Sequence, residues 1–168
     1  MRQIRSSVFE TNSSSVHSLC ISKKAWVPPD RTVEFRVGDY GWDFGAADPV
    51  SYLYTAIIDN PKALDRLREI LDKHGIKYRF QPNDDKWFLG IDHGEEAESI
   101  AERILSDEDQ TLRFLFSSES IVYTGNDNEG SDGLCFAGDT VIYDVDKGDF
   151  VSNPDHDSEN FEYYMKGN

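Results

Sequence analysis

The chain has 168 residues, 38% of them hydrophobic, and a formal net charge of −15. One domain is the expectation for that length, and ten Phe, eight Tyr and three Trp give it bulk for a core. No apolar run reaches spanning length and the N-terminus carries no secretory apolar stretch, so a cytoplasmic protein with no membrane partner is expected.

In chain order, Ile4 to Phe9 is a short extended candidate, Thr11 to Ser15 a polar turn, and Val16 to Ile21 a strand. Pro28-Pro29-Asp30 breaks the chain, Thr32 to Val37 alternates again, and Gly38 to Gly45 reads as an aromatic and glycine loop. Asp48-Pro49 and Asn60-Pro61 each place a capping side chain before a proline suited to the first helical position. Leu64, Leu67, Ile70 and Leu71 form an apolar stripe on the second helix, and Gly75 after His74 predicts its end. Ile76 to Phe80 and Lys86 to Ile91 are predicted as a hairpin through residues 81–85. Glu95 to Leu105 is an amphipathic helix. Ser106 with Asp109 then predicts a capping box that opens another helix through Leu112, Leu115 and Phe116.

Ser120 to Thr124, Leu134 to Ala137 and Thr140 to Val145 read as late strands. Beyond Asn153-Pro154 an acidic tail follows, in which Phe161, Tyr163, Tyr164 and Met165 predict a short docked helix. The irregular order predicts an α+β fold over residues 1–168, with a mixed or antiparallel sheet and about three to four helices on it.

The charge is uneven. Residues 1–36 hold six basic and three acidic side chains, residues 37–116 nine and seventeen, and residues 117–168 two and twelve. An acidic surface repels nucleic acid and is steered toward basic protein clefts. Cys20 and Cys135 match no metal spacing, which suggests two reduced thiols. The loop 125–133 fails the EF-hand pattern, since a register from Asp127 places Asp132 at the glycine position and Gly138 at the glutamate position. Scattered aspartates such as Asp144, Asp146 and Asp149 carry no metal signature, so no metal or cofactor is expected. Tyr40, Trp42 and Phe44 are read as core or loop packing before base stacking, and His74 as a helix-end imidazole.

The candidate site is the segment Arg5 to Leu19, where an arginine, a carboxylate, an amide, several hydroxyls and an imidazole crowd together. His17 is the candidate general acid or base, Glu10 its orienting or second proton carrier, and Arg5 the group that neutralises a developing phosphorane. Attack of a ribose 2′-hydroxyl on the adjacent phosphate needs that set and no metal. Asn12, Ser13, Ser14 and Ser15, with the amides of their turn, are the candidate phosphate-binding residues. On an extended segment His17 also shares a face with Leu19 and Ile21, which equally describes a half-buried structural imidazole. A serine nucleophile is less favoured, because no Gly-x-Ser-x-Gly elbow is present.

The run Val8-Phe9-Glu10-Thr11-Asn12-Ser13-Ser14-Ser15-Val16-His17-Ser18-Leu19 resembles a signature of small proteins from bacteriophages and mobile elements of Gram-positive bacteria. Tyr123-Thr124-Gly125-Asn126-Asp127-Asn128 resembles a second part of that pattern. Some such proteins resemble type II-A anti-CRISPR proteins. The resemblance implies an inhibitor of Cas9 or of the Cas9–guide RNA complex, acting in a host bacterial cytoplasm. Two modes are open under it: guide RNA cleavage or remodelling through Arg5, Glu10, the serine run and His17, or a non-enzymatic acidic mimic of nucleic acid that blocks the Cas9 channel. An enzyme or binder of a small phosphorylated, nucleotide-like ligand is a further reading. So is a structural phage protein in which the N-terminal motif only builds a turn.

Overall fold

A computed structural model describes residues 15–40, 45–82, 90–91, 94–126, 135–136, 141–144, 149–152 and 159–166. The described residues form an α+β arrangement in which four helices accompany an antiparallel sheet and three smaller sheets.

Strand β1 (Ser15–Ser22) is central in the main sheet. It pairs antiparallel with β7 (Ile121–Asn126) on one side and β11 (Phe161–Lys166) on the other, and β4 (Gly45–Ala47) extends the sheet beyond β7. Alternation along β1 sends His17, Leu19 and Ile21 to one face and Ser18 and Cys20 to the other. All five are buried, so the centre of the sheet is covered on both sides.

The helices follow from their caps. Asp48 precedes α1 (Pro49–Ile57) and its carboxylate accepts from the Val50 and Ser51 amides. Asn60 precedes α2 (Pro61–Lys73); its Oδ1 accepts from the Ala63 amide at 3.0 Å. Its Nδ2 donates to Glu98 at 2.7 Å and Glu102 at 2.8 Å, tying α2 to α3 (Gly94–Ser106). Gly75 ends the α2 region with a φ of 65°, a conformation that favours glycine. Leu67, Ile70 and Leu71 of α2 join Leu53, Ile57, Ala101, Ile104, Phe114 and Val122 in one core. Each fully buried aliphatic side chain there contributes about 1.5–3 kcal/mol.

Three expectations change. The cap of α4 (Glu108–Phe116) is Asp107, whose carboxylate accepts from the Gln110 amide at 3.0 Å, one residue later than the Ser106 reading. The expected hairpin of Ile76–Phe80 with Lys86–Ile91 falls mostly outside the described residues in its second strand, and its described parts, Tyr78–Phe80 and Gly90–Ile91, each pair in parallel with another strand. Strand β5 (Tyr78–Phe80) lies beside β2 (Val33–Phe35), and β6 (Gly90–Ile91) beside β3 (Asp39–Tyr40). The expected helix at Phe161–Met165 is strand β11, whose backbone completes the open side of β1. A third small sheet joins β8 (Cys135–Phe136) and β9 (Val141–Asp144), which fall within the strands expected at Leu134–Ala137 and Thr140–Val145, to β10 (Asp149–Ser152), for which no strand is expected. The candidate strand Ile4–Phe9 and most of the loop 125–133 lie outside the described residues.

Strand β11 is fastened to the helices by side chains. Arg113 donates through Nη1 to the Ser22 carbonyl at 2.9 Å and through Nη2 to Glu162 at 3.3 Å. Gln110 accepts from the Tyr164 hydroxyl at 3.0 Å, and the Arg103 guanidinium stands 5.0 Å above the Tyr164 ring.

Candidate functional site

Of the residues singled out in the sequence, Arg5, Glu10, Asn12, Ser13 and Ser14 lie outside the described residues. Ser15 begins β1, its Cα opposite that of Asn126 on β7. His17 is therefore the one proposed catalytic side chain with described surroundings.

Its register places Thr124 of β7 and Lys166 of β11 on either side. Thr124 is itself buried. Above this row stands Tyr52 of α1, whose hydroxyl is 2.7 Å from His17 Nδ1, with the two rings edge-on at a centroid distance of 5.5 Å. The imidazole is 0% exposed and Tyr52 is 1% exposed. Burial, then the neighbouring Tyr40 and Glu96, push the Tyr52 phenol far above its ordinary range, so it keeps its proton. A buried O–H has to place that proton, and Nδ1 is the acceptor in reach. By this logic the phenol donates to Nδ1.

The polar cluster continues from Tyr52 to Tyr40, with ring centroids 5.3 Å apart. The Tyr40 phenol is pushed up to about 12, first by burial and then by the Asp48 carboxylate, while Ser51 and Thr55 hydrogen bonds act the other way. Gly38 makes room for it: a methyl group at that position would stand 2.4 Å from the phenol carbon and oxygen of Tyr40. The Gly38 amide donates to Thr55 Oγ1 at 3.0 Å, which holds the backbone against α1.

Chemically, this is an interior arrangement. No part of the imidazole meets water. Sequence reasoning missed Tyr52, which falls on the apolar side of α1 and reads there as one more core aromatic. It also missed Ser18, whose fully buried hydroxyl makes no hydrogen bond among the described residues. Cys20 is a buried cysteine on β1. Among the described residues no three His, Cys, Asp or Glu side chains gather as a metal site, and no helix is long and apolar enough to cross a membrane.

His74, the second described histidine, ends α2. Its Nε2 lies 2.7 Å from Glu108 of α4, to which Lys73 also donates at 2.9 Å, and Trp26 meets the imidazole edge-on at 5.4 Å. The His74 hydrogen bond and then Lys73 hold the Glu108 carboxyl below its usual range. This cluster joins α2 to α4.

Comparisons with protein-family models, with curated proteins and with solved structures give no match for this chain.

Proposed function

We propose that the protein is a phage or mobile-element inhibitor of Cas9 that acts as an acidic binding protein, occupying basic surface that otherwise holds nucleic acid. The observation that carries this reading is the charge of −15, concentrated after residue 36, on a chain whose residues 8–19 and 123–128 resemble the mobile-element signature. Such a surface is drawn to a basic channel by long-range steering and competes there with phosphates. The burial of His17 favours binding over catalysis. General acid–base work on guide RNA needs the imidazole within hydrogen-bond reach of a ribose or phosphate oxygen, whereas His17 is fully buried with the Tyr52 hydroxyl on its Nδ1.

The test is calorimetric titration of the protein into Cas9–guide complex across a salt series. Binding that weakens steeply with salt, and weakens further when three or four acidic residues of the range 127–159 are changed to lysine, supports the reading. Binding indifferent to both, or no binding, overturns it. Guide RNA truncation through His17, Glu10 and Arg5 is the competing mode, and it requires the imidazole to become accessible in the complex.

A further inference from the structure

We infer that the outward face of the β2–β5 ribbon is a phosphate-backbone contact surface for single-stranded RNA, centred on Arg36, Lys77 and Arg79. The inference goes beyond the inhibitor reading, which places no RNA on this chain, and it stands independently of it.

The ribbon is parallel, with Val33 opposite Tyr78, Glu34 opposite Arg79 and Phe35 opposite Phe80. The Lys77 carbonyl accepts from the Val33 amide, and the Gln81 amide donates to the Phe35 carbonyl. Alternation then sorts the side chains. Val33, Phe35, Tyr78 and Phe80 turn inward, where Phe35 is fully buried and touches the rings of Tyr54, Tyr78 and Phe80. Glu34, Arg36, Lys77, Arg79 and Gln81 share the other face. Three cations and one carboxylate make that face positive, against the sign of the chain as a whole.

The carboxylate organises the cations. Arg36 donates through Nε to Glu34 at 3.1 Å and also through Nη2, Gln81 donates to it at 3.2 Å, and Arg79 Nη1 lies 4.0 Å away. The arginine side chains nevertheless remain 63% and 68% exposed. One carboxylate cannot occupy ten guanidinium donors, so most N–H groups of both forks face water, held side by side above a rigid aromatic floor. The Tyr54 hydroxyl fixes that floor by donating to the Gln81 carbonyl at 2.9 Å, and Arg68 of α2 stacks 5.2 Å from the Phe80 ring at its flank.

The chemistry selects the partner. Lys77 and Arg79 repeat along the strand every second residue, about 6.6 Å, with Arg36 on the neighbouring strand, which suits a continuous polyanion. The aromatic side chains all point inward, so the face offers no apolar anchor for a protein interface core and no stacking platform for bases. Phosphate contacts need neither, and they read no sequence.

The experiment measures fluorescence anisotropy of a labelled 20-nucleotide RNA with the full chain and no Cas9, over a salt series. Wild type is expected to bind with a Kd of about 10⁻⁴–10⁻⁶ M and a log–log salt slope near −2, as about three phosphate contacts on a single strand require. The triple variant Arg36→Gln, Lys77→Gln, Arg79→Gln should lose at least tenfold in affinity and most of the slope, while Lys62→Gln changes neither. Should the triple variant melt early, Arg79→Gln alone, which leaves the Arg36–Glu34 pair in place, should flatten the slope by about 0.7. No wild-type binding, or equal binding by the variants, overturns the inference. So does polyglutamate of matched length competing as well as unlabelled RNA, because the face would then be a site for an acidic protein. Because Cas9 is absent, failure here leaves the inhibitor reading standing, and failure to inhibit Cas9 leaves this surface standing.

Discussion

His17 Nδ1 and the Tyr52 hydroxyl meet at 2.7 Å inside the core, joining the central strand to the first helix across 35 positions of sequence. Two polar rings sealed from water stabilise a fold only while each satisfies the other. His17→Ala removes the acceptor, strands the phenol proton and opens a cavity, and should cost about 2–4 kcal/mol. Tyr52→Phe strands the imidazole nitrogen instead, at about 1–3 kcal/mol. The double variant should cost less than the sum, by about 0.5–3 kcal/mol. Urea unfolding of the four proteins checks this, and strictly additive losses would show that the pair is not coupled.

Tyr40 links this cluster to solution pH. Its phenol is raised from 10.0 to about 12, so the fold favours the neutral form. That stabilisation is complete below pH 10, the unfolded value, and is lost as pH rises through about 12. Ultraviolet titration of phenolate should show a late step, above the exposed tyrosines, that disappears in Tyr40→Phe. A wild-type titration without that step would contradict the burial of Tyr40.

Gly38→Ala tests the same packing from the backbone side. The added methyl would sit 2.4 Å from the Tyr40 phenol, and the ring cannot swing away without leaving Tyr52. The variant should lose about 1–3 kcal/mol, and its late phenol step should move back toward 10.0. Unchanged stability and titration would mean that the ring relocates freely.

Arg113 governs the last strand. Its side chain is 11% exposed and bridges the Ser22 carbonyl, Asp109 and Glu162. Arg113→Met keeps the stem and removes these bonds, so amide exchange in Phe161–Lys166 should accelerate ahead of that in β1 and β7. Uniform acceleration along all three strands would indicate that β11 does not open separately.

What the sequence disclosed follows from how local each signal is. The Asp48-Pro49 and Asn60-Pro61 caps and the Gly75 stop act within one turn of helix, and all three are found where the residues place them. Alternation from Val16 to Ile21 likewise predicts β1. Partnership is not local. Tyr78–Phe80 is a strand as its residues suggest, but nothing in them says that Val33–Phe35, before two helices, is its neighbour. Phe161, Tyr163, Tyr164 and Met165 fit either period, and the unpaired side of β1 decides for a strand. The site shows the same limit: His17 alternates with Leu19 and Ile21, which allowed an interior imidazole, yet its partner waits on another element.

The guide RNA itself is the most direct witness to how the protein acts. Cas9–guide complex is incubated with the protein, DNA cleavage is assayed, and the same reaction is run on a denaturing RNA gel. An acidic binding inhibitor with His17 held in its core predicts suppressed DNA cleavage with full-length guide. Shortened guide that becomes full length again with a folded His17→Gln variant would contradict it and return His17 to chemistry, while unimpeded DNA cleavage would remove Cas9 as the target.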